Sequence, residues 1–108
     1  MARFLILWRV NWKAPWPSTE PSKYMELEEK MWAGIEQLMK MGQIEEFGAF
    51  PDGESGYAIG KGETADVFRG VTAFHPYIRG EVHEIIPYET MKETTRAIIQ
   101  MRIEEMKK

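Results

Sequence analysis

The run Phe4-Leu5-Ile6-Leu7-Trp8-Arg9-Val10 constrains this chain more than any other stretch. It is short and rich in branched and aromatic residues, and a turn-forming segment follows it. That combination reads as a β-strand. Side chains alternate along a strand, so Phe4, Ile6, Trp8 and Val10 point one way and Arg3, Leu5, Leu7 and Arg9 the other. A strand covered on one face alternates apolar with polar residues. This one is apolar in the middle of both faces, so it calls for cover on both sides.

Around it the chain offers three more strands and three helices. Asn11–Glu20 is a loop holding Trp12, Trp16, Pro15 and Pro17. Exposed tryptophans are costly unless they cover something, so this loop reads as a lid on the core or as the wall of a pocket. Pro21 suits the first turn of a helix, with Ser18 or Thr19 as its cap. Tyr24, Leu27, Met31, Ile35 and Leu38 recur at helical spacing as its core-facing stripe, widened by Met25, Trp32 and Met39, and Gly42 is placed to end it. Ile44–Phe50 and Gly56–Gly60 read as strands joined by the hairpin residues Pro51–Ser55. Gly60-Lys61-Gly62 lacks phosphate-loop spacing and reads as a connector. A short helix follows, capped by Glu63 or Thr64, with Val67, Phe68, Val71 and Phe74 on its apolar side; Pro76 ends it. Glu81–Ile86 is the fourth strand. Thr90 with Glu93 forms a capping box for a last helix running to about Met106. Its stripe of Met91, Ile98 and Met101 is weak, as in a helix that packs loosely or across a subunit boundary.

Two strand–helix–strand halves predict one α+β domain over residues 1–108, a ferredoxin-like βαββαβ sandwich with an extra C-terminal helix. Helices cover one sheet face. Leu5, Leu7, Ala49 and the fourth strand leave the other uncovered, and a second copy supplies the cover: two sheets face to face, a dimeric α+β barrel. The expected partner is therefore a second copy, with room for a higher oligomer. A net charge of −3 with scattered basic residues points away from nucleic acid. The absence of cysteine excludes disulfides, thiolate metal sites and cysteine nucleophiles. The N-terminal apolar run is too short for a membrane span, and Arg9 interrupts it before a signal core forms, so the chain reads as cytoplasmic.

Pro76-Tyr77-Ile78 followed by Glu81-Val82, after a short helix and before Ile85-Ile86, resembles the fourth-strand motif of the muconolactone isomerase-like group. The layout from about Pro21 to Pro87 is compatible with that group. The resemblance implies a dimeric α+β barrel. It also implies membership of a superfamily that includes isomerases, cofactor-free and haem-degrading monooxygenases, and dehydratases; a shared fold leaves the reaction open.

The sandwich topology gathers the Asn11–Glu20 loop, the Pro51–Ser55 hairpin and the His75–Gly80 connection at one end. Glu81 and His83 share a strand face, and Arg9 lies on the antiparallel neighbour. His83 as general base, Glu81 holding it and Arg9 orienting an anionic or carbonyl oxygen form the candidate catalytic trio. The plain alternative is a structural ion pair beside a satisfied histidine. Trp12, Trp16, Tyr57, His75 and Tyr77 are the candidate ligand-binding wall. Two histidines and no cysteine make a poor metal set, so no metal and no cofactor are expected. The function that follows is binding, or isomerase- or monooxygenase-like turnover, of a compact apolar ligand carrying a carbonyl or carboxylate. The alternative is a structural or regulatory dimer with a filled barrel interior.

Overall fold

The computed structural model describes residues 2–108. Its elements are β1 (Ala2–Val10), α1 (Pro21–Lys40), β2 (Ile44–Ala49), β3 (Ser55–Gly62), α2 (Thr64–Thr72), β4 (Ile78–Ile85) and α3 (Tyr88–Met106). The four strands form one antiparallel sheet in the order β2-β3-β1-β4. This α+β arrangement is compatible with the ferredoxin-like sandwich expected from the element order. The most apolar strand, β1, takes a central place, where neighbours on both sides satisfy its backbone.

Several boundaries differ from the sequence expectation, each for a physical reason. β1 begins at Ala2, so β3 has partners as far as Gly62 (Ala2 opposite Gly62, Phe4 opposite Gly60), and Gly60-Lys61-Gly62 is strand rather than connector. β4 begins at Ile78, opposite Val10, because pairing with β1 outweighs the weak strand propensity of Gly80. Helix α1 is entered from Glu20 with Pro21 in its first turn, and neither Ser18 nor Thr19 caps it. Pro87 takes the N-cap position of α3, three residues before the expected Thr90 capping box. At the other end of α1 the expectation about Gly42 fits: its φ is +76°, its N–H donates to Met39 O, and Gln43 N–H donates to Leu38 O. Those two bonds make a Schellman motif and satisfy carbonyls that the helix end leaves open.

A bulge at Glu45 sets the faces of β2. The register steps from Ile44 opposite Gly60 to Glu46 opposite Ile59. The extra residue turns Phe47 and Ala49 toward the helices. Ala49 therefore does not belong to the bare face, where straight alternation had put it. Phe47 stacks on Trp8, with ring centroids 5.6 Å apart and planes 9° from parallel. Trp8 lies across Gly56, its register partner on β3, and donates its indole N–H to Gly48 O at 3.2 Å.

The helix layer stands off the sheet. No residue of α1 or α2 is buried, and among the described residues the buried apolar side chains are Phe4 and Ala58. The α1 stripe faces the sheet without closing on it. The opposite sheet face carries Leu5, Leu7, Tyr57, Ile59 and Ile85, rimmed by Arg3, Arg9, Arg79, Glu81 and His83, and among the described residues no element lies over it. Helix α3 packs on none of the other elements to any extent and leaves Met91, Ile98, Ile99, Met101 and Ile103 exposed. With α3 extended, the molecule measures 71 × 29 × 25 Å.

A methyl group on Gly56 would sit inside van der Waals distance of the Gly48 carbonyl and the Trp8 ring. Backbone on one side and a wedged indole on the other leave nothing that yields easily. Gly56→Ala is expected to cost about 3 kcal/mol or more. A urea melt within about 1 kcal/mol of wild type would show that Trp8 does not lie across β3.

Candidate functional site

The space between sheet and helices is a cavity of about 590 Å³. Its floor is the inner face of the sheet, including Ile6, Trp8, Val10, Phe47, Ala58 and Ile78. Met31, Ile35 and Leu38 line it from α1, and Val67, Val71 and Phe74 from α2 and the turn after it. Trp12 and Trp16 close one end. A volume of this size is typical of small-molecule sites. Sealed and empty, it would cost on the order of 14 kcal/mol at the usual penalty per unit of cavity volume. That equals the whole stability of a small domain, so the space is open to exchange with solvent or solute.

The end wall is built from the loop after β1. Asn11 anchors it: its N–H donates to Tyr77 O at 2.8 Å, and its side-chain amide donates to Pro76 O at 2.9 Å. The Trp16 indole N–H donates back to Asn11 O at 2.7 Å. Trp16 is thereby fixed between Tyr77, at 4.8 Å between centroids, and Tyr24 of α1, at 5.7 Å. Trp12 tilts against Trp16 at 6.3 Å and donates its indole N–H to Glu54 at 2.9 Å. Glu54 also pairs with Arg9 at 3.4 Å. The hairpin tip that carries Glu54 is set by Asp52, whose carboxylate accepts from the backbone N–H groups of Glu54 and Ser55 and from the Ser55 hydroxyl, the last at 2.5 Å. These bonds, the Ser55 hydroxyl first, hold the Asp52 carboxyl below its ordinary value of 3.8.

The residues singled out in the sequence divide between the two sheet faces. Trp12 and Trp16 line the cavity, and Tyr77 backs Trp16. Arg9, Tyr57, Glu81 and His83 are on the bare face. There His83 and Glu81 approach to 3.5 Å with both side chains more than half exposed, an ion pair only when the imidazole is protonated. In register, Glu81 stands opposite Leu7 and His83 opposite Leu5, while Arg9 stands opposite Arg79 and pairs with Glu54. The Glu81–His83 pair is thus assembled on β4 alone, with Arg9 one register step away. An open cleft beside it, lined by Arg9, Phe50, Asp52, Arg79 and Glu81 among others, is more polar than the inner cavity. Tyr57 stacks on Phe50, and the Glu46 carboxylate beside its hydroxyl raises its pKa. His75 is exposed in the connection before β4.

Sequence reasoning overlooked Trp8, Phe47, Tyr24 and Glu28 as site residues. The available signal was that a tryptophan on the β1 core face and another in the α1 stripe are large groups for so small a sandwich. Among the described residues no cluster of three or more His, Asp or Glu side chains could hold a metal ion, and no helix is long and apolar enough to cross a membrane. No family model matches the chain, and no curated protein or solved structure is a significant match.

Because the folded state lowers the Asp52 pKa, its contribution to stability is present above the ordinary carboxylate value and is lost as pH falls through the folded one. Asp52→Ala is expected to melt below wild type at pH 7, with the gap narrowing as pH falls below the ordinary carboxylate value of 3.8. A gap unchanged in acid would show that the charge on Asp52 does not hold the hairpin.

Proposed function

We propose that this protein binds a compact apolar small molecule in the cavity between its sheet and its helices. The observation that carries the reading is the cavity itself: about 590 Å³ of aromatic and aliphatic wall where a sandwich of this size ordinarily has its packed core. The structured end wall, held by backbone and indole hydrogen bonds, supports a preformed site. Binding is favoured over turnover. The Glu81–His83 pair, the best acid–base candidate, is solvent-exposed and lies across the sheet from this wall. A catalytic role for the pair would require a second site on the bare face, closed by another copy.

We further propose that the chain forms a homodimer through that face, as the resemblance to the muconolactone isomerase-like group implies. Two features favour the dimer: an apolar sheet face over which no described element packs, and a 19-residue helix, α3, that scarcely touches the other described elements. An isolated helix of that length is marginal in water, and most helical stability comes from packing an apolar face.

Gly70 of α2 lines the cavity, and a Cβ there meets only Leu38, at 3.9 Å. Gly70→Leu is therefore expected to fill space without strain, and to gain about 1 kcal/mol in helix propensity. It should keep the fold and weaken binding of an uncharged apolar probe such as N-phenyl-1-naphthylamine at least about tenfold. Unchanged probe binding in a folded variant would remove the cavity from the account. For the dimer, light scattering at micromolar concentration is expected to give twice the 12.6 kDa chain mass. A folded monomer would contradict it.

A further inference from the structure

The cavity wall carries information about ligand charge, which rests on the binding role proposed above and narrows it. All four tryptophans of the chain, Trp8, Trp12, Trp16 and Trp32, line the space. An indole offers one polar group, its N–H, and here each is already engaged within the protein. Trp8 donates to Gly48 O, Trp16 to Asn11 O, Trp12 to Glu54 and Trp32 to Glu28. What remains for a ligand is the apolar ring surface.

The charged groups at the lining point the same way. Glu28 and Asp66 are carboxylates, and Asp66 is paired with Arg69 at 3.1 Å. Among the described residues the one cation in the lining, Lys61, has Glu45 at 3.8 Å. Arg9, the cation that could hold an anionic oxygen, is on the other sheet face. An anion entering the cavity would lose water, gain no free donor from the indoles and meet negative charge at the lip. A desolvated charge without a partner is strongly disfavoured.

We infer that the cavity selects an uncharged ligand with a flat aromatic ring system, and rejects the carboxylate of the same shape. Ring faces of Trp8 and Trp16, each already stacked on a neighbouring aromatic, supply offset-stacking and edge contacts at little entropic cost, because both rings are fixed by hydrogen bonds. Of the two oxygen functions considered for the ligand, the carbonyl survives and the carboxylate does not.

The test is a matched pair, 2-acetylnaphthalene and 2-naphthoate, titrated by calorimetry into the full-length protein at pH 7, with Gly70→Leu as the control for location. The ketone is expected to bind wild type at least about tenfold more tightly than the carboxylate. Binding should be lost in Gly70→Leu. Glu28→Gln, which keeps an acceptor for Trp32 and removes a charge, is expected to narrow the gap by strengthening the naphthoate. Equal affinity of the two probes, or a preference for naphthoate, would overturn the charge selection and leave the cavity as a site. Binding of neither probe would overturn the cavity reading itself.

Discussion

A central strand that is apolar on both faces, in a chain that provides one helix layer, sets the terms for this whole structure. Leu5 and Leu7 of β1 point away from the helices and are half-buried among their own face's side chains with no described element over them; of the residues that point toward the helices Phe4 is buried, while Ile6, Trp8 and Val10 are half-buried at the cavity. Apolar area left in water forgoes about 25 cal/mol per Å². Both faces therefore retain unspent driving force. On one side that force favours a solute, on the other a second copy of the chain.

The two faces are linked through one short segment. Val10 N–H and Trp12 both bond to Glu54, Arg9 pairs with it, and Asp52 fixes the turn that presents it. The Trp12–Trp16 wall of the cavity and the arginine on the bare face therefore share an anchor. The hairpin tip and the aromatic wall are thus joined by hydrogen bonds through Glu54. The ion pair itself is exposed and contributes little energy. Its role is positional.

Much of the architecture was legible in the sequence because it rests on periodicity and turn chemistry. The α1 stripe, the Gly42 stop and the Pro51–Ser55 hairpin all express local preferences. The strand order follows from two strand–helix–strand units. What could not be read were features decided by register. One extra residue at Glu45 moved Phe47 and Ala49 to the other face, and pairing with β1 extended β3 and β4 beyond their propensities. Register also placed Arg9 opposite Arg79 rather than beside Glu81. The Trp12–Trp16 loop was legible as a lid or a wall. The volume behind it was not, since the gap between two layers depends on how closely helices settle, and the α1 pattern is the same for a tight core and an open one.

The central claim, that the space between sheet and helices is a persistent apolar cavity, is tested most directly by crystallography under xenon pressure. Xenon enters dry apolar cavities and carries no chemical bias toward any ligand class. The account predicts strong anomalous density among Ile6, Ile35 and Val71, with α1 and α2 unmoved. Helices settled onto the sheet around a filled core, with xenon absent from this region, would contradict it.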